Sequence, residues 1–412
     1  MVEKSRIKLT FKDCLSLVYI GTIVMPILDQ IVNTYLLVLL VGLLNLIFSI
    51  DVIGKLKGEK AWFFLALIVP IVLMIFEGLM ERKLGIIFIY QILRNTLLIF
   101  LGLYYTLIAT KESVKSIFMI TIGMLIVTAI TSIIVLAEDP LAARIMATVG
   151  DSSSSYAIEM NMRNLGGFAI VYLSVGLLPF LLYMAVAQKR SKVFWVGIII
   201  LFSVYIFMAS YTTAILVGVF AILFTIFGAK ANKKGYVFAV FFLLILLIFF
   251  LRYQIADLLY KLSDLTVDIV SNRFRYLADS IYGVGTDSDA QLRVDYYAKA
   301  WESFLANPLF GGYFSGSAKT SGHSFILDML AKYGCFGIFV LYLEYKAIHR
   351  LFYRGYNKQK PYYYAILSFI VCIALALLNP SENLFLLIFL LPIGLKSLEG
   401  AEGGENICNI SM

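Results

Sequence analysis

Gly322-His323-Ser324-Phe325-Ile326-Leu327-Asp328-Met329-Leu330-Ala331-Lys332-Tyr333-Gly334-Cys335-Phe336-Gly337 opens with one of two histidines in 412 residues. It runs straight into Ile338-Phe-Val-Leu-Tyr-Leu-Glu-Tyr345. An apolar run of ~20 residues crosses a ~30 Å hydrocarbon layer as a helix. The stretch therefore reads as a polar, titratable turn set on a membrane span over 324–345. Outward from it the apolar pattern repeats near 15–28, 31–50, 61–79, 86–109, 115–137, 165–187, 193–209, 211–228, 236–251, 361–379 and 383–396. These runs are continuous rather than alternating with period two, which argues against a transmembrane barrel. Hydrophobic residues make up 61% of the chain and mean hydropathy is +0.89, against ~45–50% apolar residues in soluble domains. The fold class is an all-α polytopic membrane protein of about twelve transmembrane helices, with a large, partly helical extracytoplasmic loop.

The formal net charge is +8, but placement matters more than size. Basic clusters stand at Lys4/Arg6/Lys8/Lys12, Lys55/Lys57/Lys60, Lys111/Lys115, Lys189/Arg190/Lys192, Lys230/Lys233/Lys234 and Lys346/Arg350/Arg354/Lys358/Lys360. They alternate with sparsely charged connections. That is the positive-inside pattern of membrane topology rather than a nucleic-acid footprint. With twelve spans, both termini and every cluster fall on the cytoplasmic side. His349 then sits in a basic, solvated cytoplasmic loop. The four cysteines are scattered and show neither metal spacing nor a disulfide framework. No cleavable signal is evident at the N-terminus.

The organisation is one integrated membrane domain. Spans one to nine occupy 1–251, with an outer connection at 138–164. An extracytoplasmic loop follows over 252–323, and 324–412 holds the last three spans and a cytoplasmic tail. The loop carries seven basic and eight acidic residues, so anions would bind there to individually placed arginines. Leu292, Tyr296, Ala300 and Phe304 recur at helical spacing, with Tyr297 and Trp301 beside them. Ser288 or Asp289 suits the start of that helix and Asn307-Pro308 its end.

At these residues the chain resembles the O-antigen ligase/polymerase superfamily of bacterial membrane glycosyltransferases. The shared order is Arg293 opening a loop helix, Trp301 within it, Pro308 before Gly311-Gly312, then His323 starting a span that soon meets Gly334 and Gly337. The resemblance implies a GT-C-like fold at the outer face of the bacterial cytoplasmic membrane. It implies transfer of a glycan from undecaprenyl diphosphate to an acceptor hydroxyl, without a metal ion or other cofactor. The implied partners are lipid-linked oligosaccharide donor and acceptor, membrane lipids, a chain-length regulator and a flippase, with no nucleic acid. One departure stands out. The family often has an arginine at the outer junction before the eighth span, where this chain reads Ala209-Ser-Tyr211-Thr-Thr213. Its role falls to Arg163, Arg273 or Arg275, or is absent.

The chemistry assigns candidates. A departing diphosphate gains negative charge, which fixed guanidinium groups hold bidentately. Arg293 comes first by the motif; the bland reading pairs it with Asp289 or Asp295 on its own helix. Arg273, Arg275, Arg163 and Arg94 are further diphosphate ligands, or else lipid-headgroup and interface anchors. His323 suits a general base, since an unperturbed imidazole titrates near ~6.5; a helix-capping histidine is the alternative. Asp328 and Lys332, one turn apart, are expected to neutralise each other. Glu382 orients His323, binds sugar or merely belongs to an outer turn. Asp287-Ser288-Asp289 mimics a metal-binding acidic pair but reads as a loop turn.

The favoured function is a repeat-unit polymerase for O-antigen, capsule or another exopolysaccharide. A ligase of the same family and a lipid-linked oligosaccharide flippase are the alternatives. The flippase reading predicts inverted repeats and a polar midplane path. The chain shows no internal repeat.

Overall fold

A computed structural model of the protein describes residues 9–56, 58–80, 85–148, 154–188, 191–228, 251–265, 271, 274–275, 278–279, 281–282, 289–313, 316, 318–356, 360–380 and 383–399. At 148, 212, 227–228, 252 and 289–293 it describes the backbone alone. All regular structure among the described residues is helical. The helices are α1 (Phe11–Val24), α2 (Pro26–Ile31), α3 (Thr34–Ile53), α4 (Lys60–Met80), α5 (Ile86–Leu107), α6 (Lys111–Glu138), α7 (Ala142–Thr148) and α8 (Ser155–Met162). They continue as α9 (Phe168–Ala187), α10 (Lys192–Ala209), α11 (Thr212–Gly228), α12 (Arg252–Asp264), α13 (Asp289–Ala306), α14 (Phe325–Phe352) and α15 (Lys360–Leu378). A π-helical turn over Phe385–Leu390 leads into α16 (Leu391–Leu398).

The polytopic all-α class is what the apolar runs required. Among the described residues, eight helices are long and apolar enough to cross a membrane, and Thr213–Ile226 and Phe385–Leu398 are shorter apolar helices. The span expected at 236–251 lies outside the described residues. The one expected at 15–28 is not continuous. α1 stops at Val24, Met25 is extended (φ −124°, ψ 101°), and α2 restarts at Pro26. Proline disfavours helical geometry in the residue before it, so Met25 leaves the helix there.

α9 lies at the centre. It is apolar all round, and fifteen of its residues between Ile170 and Ala185 are buried, as a helix surrounded by others requires. It packs on α10, α11, α15 and the π-helical turn. α6 packs on α1, α10 and α16, α3 on α5, and α4 on α14 and α5.

Polar ties pin the two ends of the bundle. At one end Asp13 is fully buried. It accepts from Thr10 N and Oγ1 at 2.8 Å, Tyr105 OH at 2.8 Å and Ser113 Oγ at 2.6 Å. A buried carboxylate is tolerated when donors surround it, and this one joins α1 to α5 and α6. At the other end Asn164 takes a left-handed turn (φ 56°), a conformation open to asparagine. Its Nδ2 donates to Thr131 Oγ1 at 3.0 Å, and its Oδ1 accepts from Ile27 N at 3.3 Å. The break between α1 and α2 is thereby fastened to α6.

Candidate functional site

The turn before α14 is built by Asp328. Its carboxylate accepts from Ser321 N at 2.6 Å, Ser321 Oγ at 2.7 Å and Gly322 N at 3.0 Å. Ser321 Oγ in turn accepts from the backbone N–H of His323 at 3.0 Å and of Ser324 at 3.1 Å. Ser324 caps the helix by accepting from Leu327 N at 3.1 Å. The main chain of His323 is therefore held by a short relay that begins at Asp328.

Three neighbours close around this turn. The last carbonyls of α15 have no intrahelical partners. Leu377 O accepts from Ser324 Oγ at 2.6 Å, Leu378 O from Tyr297 OH at 3.1 Å and Asn379 O from Phe325 N at 3.1 Å. Tyr172 on α9 donates to Asn379 Oδ1 at 2.9 Å, which links the turn to the centre of the bundle. From the loop side, the Tyr296 ring lies 5.2 Å from the His323 ring, and Tyr297 OH reaches His323 O at 3.4 Å. The backbone register of α13 sets residue 293 one turn before Tyr296 and Tyr297, on the same helix face. The side chain of Arg293 lies outside the described residues.

α13 ends in Asn307-Pro308, and the chain that follows is spliced into α14. Gly334 departs from helical geometry (φ 64°, ψ −153°). The 335→331 and 336→332 helix bonds are replaced by bonds to the loop. Gly312 N donates to Ala331 O at 2.8 Å and Tyr313 N to Lys332 O at 3.2 Å. Cys335 N donates to Pro308 O at 2.8 Å and Phe336 N to Leu309 O at 3.0 Å. The backbones touch. A Cβ on Gly334 would sit 2.6 Å from Pro308 O, and one on Gly311 would overlap the backbone of Lys332 and Tyr333.

The other candidates fall into separate neighbourhoods. Lys332 and Asp328, expected to neutralise each other, turn to different partners. Lys332 Nζ pairs with Glu77 on α4 at 2.9 Å and lies 5.3 Å from the Tyr313 ring, while Asp328 faces back onto Ser321 and Gly322 as above. The reason is local competition: three donors in the turn before α14 draw the Asp328 carboxylate back, and Glu77 on the neighbouring α4 takes Lys332. Arg163 pairs with Glu138. Arg275 donates to Asp264 Oδ1 at 3.0 Å and Ser263 Oγ at 3.3 Å on α12. Arg94 interacts with Tyr19, Tyr90 and Asp29. Trp301 is 46% exposed and packs on Phe304 at 5.1 Å, so it points out of α13, away from the buried Ala300 and Ser303. Arg273, Glu382, Asp287 and Ser288 lie outside the described residues. In the connection at 138–164, Tyr156 donates to Asp139 Oδ2 at 2.7 Å. Burial, then this bond, pushes its phenol up to about 12.

Residues 197–342 match the family model described as O-antigen ligase. The match covers about a third of the chain, from α10 through the spliced break of α14, and includes the whole His323 turn. It agrees with the superfamily read from Arg293, Pro308, the glycines and His323. No curated protein matches the chain closely enough to count as a relative. The O-antigen ligase family is glycosyltransferase-like and acts on lipid-linked oligosaccharides.

Several residues around the His323 turn carried little or no sequence signal. Ser321 is a small residue in a polar loop, and its relay role depends on Asp328 seven positions on. Tyr296 and Tyr297 read only as part of an apolar face. Asn379 stands three residues before Glu382 in the same turn, and nothing in the sequence ties it to Phe325 or Tyr172. His349 corrects an expectation of solvation. It lies on α14, half-buried, with Nε2 2.8 Å from Tyr362 OH and its ring stacked on Tyr353.

Proposed function

We propose that the protein is a polysaccharide repeat-unit polymerase. It moves a glycan from undecaprenyl diphosphate to the non-reducing-end hydroxyl of a second lipid-linked repeat unit, at the outer face of a bacterial cytoplasmic membrane. One observation carries this reading. Tyr296 and Tyr297 of α13 dock on the His323 turn, and residue 293 stands one turn earlier on that face. An imidazole and a guanidinium-bearing residue thus belong to one neighbourhood at the end of the bundle.

The His323 imidazole takes the proton of the acceptor hydroxyl, whose oxygen bonds to the anomeric carbon. The bond from that carbon to the diphosphate oxygen breaks, and its electron pair leaves with undecaprenyl diphosphate. Arg293 holds the charge that builds on the departing oxygen. Arg275, Arg273, Arg163 and Arg94 are secondary ligands in this scheme, reached only by leaving the carboxylates and hydroxyls that now engage Arg275, Arg163 and Arg94.

The description of the matched family favours a second reading, ligation of the glycan to a lipid A core sugar. Purified protein incubated with lipid-linked repeat units and EDTA separates these. A ladder of lengthening products supports the polymerase and a metal-free step. Transfer only when a lipid A core acceptor is added supports the ligase. Passage of the lipid-linked glycan across a liposome bilayer with no new bond overturns both.

A further inference from the structure

The end of the bundle opposite His323 holds a cluster that the proposed reaction does not use. On α14, Phe339, Tyr342, Lys346 and Arg350 follow at i, i+3, i+7 and i+11, which lines them along one helix face. Phe339 and Tyr342 are each 56% exposed, and Lys346 is exposed. The face is apolar toward mid-helix and cationic at its end. The start of α4 stands beside it. Arg350 lies 5.0 Å and Lys346 5.5 Å from the ring centroid of Trp62. Glu59 is shared between two arginines. Its Oε2 accepts from Arg350 Nε at 2.8 Å and its Oε1 from Arg354 Nη1 at 3.1 Å. Lys60 is exposed next to it. Arg350 and Arg354 thus share the carboxylate of Glu59, and Lys60 and Lys346 are exposed on the same two helix ends.

We propose that Trp62, Lys346, Arg350 and Arg354 bind the phosphate of an acidic phospholipid, with its acyl chains along Phe339 and Tyr342. Each guanidinium spends one edge on Glu59, which orients it and leaves further N–H groups for phosphate oxygens. An indole at headgroup level suits the polar–apolar boundary. A free phosphate ion would meet the same cations but gain nothing from the apolar stripe, so the source is a lipid. The positive-inside pattern puts this end in the cytoplasmic leaflet, where acidic lipids attract basic residues. The inference stands independently of the glycan reaction.

The test uses the full chain purified in a neutral detergent. Native mass spectrometry follows retention of phosphatidylglycerol or phosphatidylcholine, and thermal unfolding is read with each lipid and with sodium phosphate. Phosphatidylglycerol is expected to stay bound and raise the unfolding midpoint, and phosphatidylcholine to do neither. Lys346→Gln with Arg354→Gln, both exposed side chains, is expected to weaken retention about 30-fold, at roughly fivefold per basic residue. Lys111→Gln with Lys115→Gln removes two exposed cations of another cluster and is expected to leave retention unchanged. If the first pair does not fold, Lys346→Gln alone reads the same question at about fivefold. Equal losses in both pairs mean diffuse attraction and overturn the site. So do equal retention of the two lipids, or a midpoint shift that sodium phosphate reproduces.

Discussion

At the scale of single residues, His323 and Asp328 have separable roles. A general base contributes about 10²–10⁴-fold, so His323→Ala should cut the rate of chain growth by that factor while the protein stays in the membrane. The base must be neutral to accept a proton, so wild-type activity should rise with pH as the imidazole loses its proton. The residual activity of the variant should be flat there. A rising limb that survives in His323→Ala would remove the imidazole from the reaction. Asp328 acts one step back. Asp328→Asn keeps the shape but sets one amide nitrogen against the N–H and O–H donors of Ser321 and Gly322. The expected result is a stability loss of ~1–3 kcal/mol and a rate about tenfold lower, as is usual when a site loses alignment. A full wild-type rate in Asp328→Asn would show that the relay through Ser321 does not position His323.

At the scale of elements, the splice between the 308–313 loop and α14 is the feature to test. Gly334 sits in a backbone region that is essentially glycine-only and costs other residues ~1–3 kcal/mol. A Cβ there also meets Pro308 O at 2.6 Å. Gly334→Ala should therefore lower the thermal unfolding midpoint in detergent and loosen α13 from the His323 turn. Gly355→Ala, where nothing lies within 4 Å of a Cβ, should leave the midpoint nearly unchanged. Similar midpoints for the two variants would argue that the loop merely rests on the helix. This element also marks how far the sequence can be read. Pro308, Gly311, Gly312 and Gly334 stand out as a pattern, and the two helices around them follow from periodicity and caps. What the glycines accomplish is an exchange of backbone bonds between segments some twenty residues apart, and periodicity carries no information about that. The same limit explains Lys332. Asp328 is its neighbour in sequence, but Glu77 on α4 is its neighbour in space, 255 positions away. The Met25 break was legible in principle from Pro26, yet the apolar run across it hid the interruption.

At the scale of the whole molecule, the two ends of the bundle differ in kind. One end gathers His323, Tyr296, Tyr297 and the capped carbonyls of α15. The other gathers Lys346, Arg350, Arg354 and the buried Asp13 tie. Lipid-linked glycan chemistry at the outer face requires the first end to face out and the second in, as the basic clusters at Lys111/Lys115 and Lys346/Arg350 independently suggest. This orientation can be tested apart from any activity. Cys14 and Cys335 are exposed, so all native cysteines are first replaced by serine. Single cysteines are then placed at Lys319, in the loop before His323, and at Lys111, at the start of α6. A membrane-impermeant maleimide applied to intact cells should label the first and spare the second, and permeabilisation should expose the second. The reverse result would turn the molecule over and place the imidazole in the cytoplasm. No acceptor sugar held at the outer face could then reach it, and the lipid cluster would lie in the wrong leaflet.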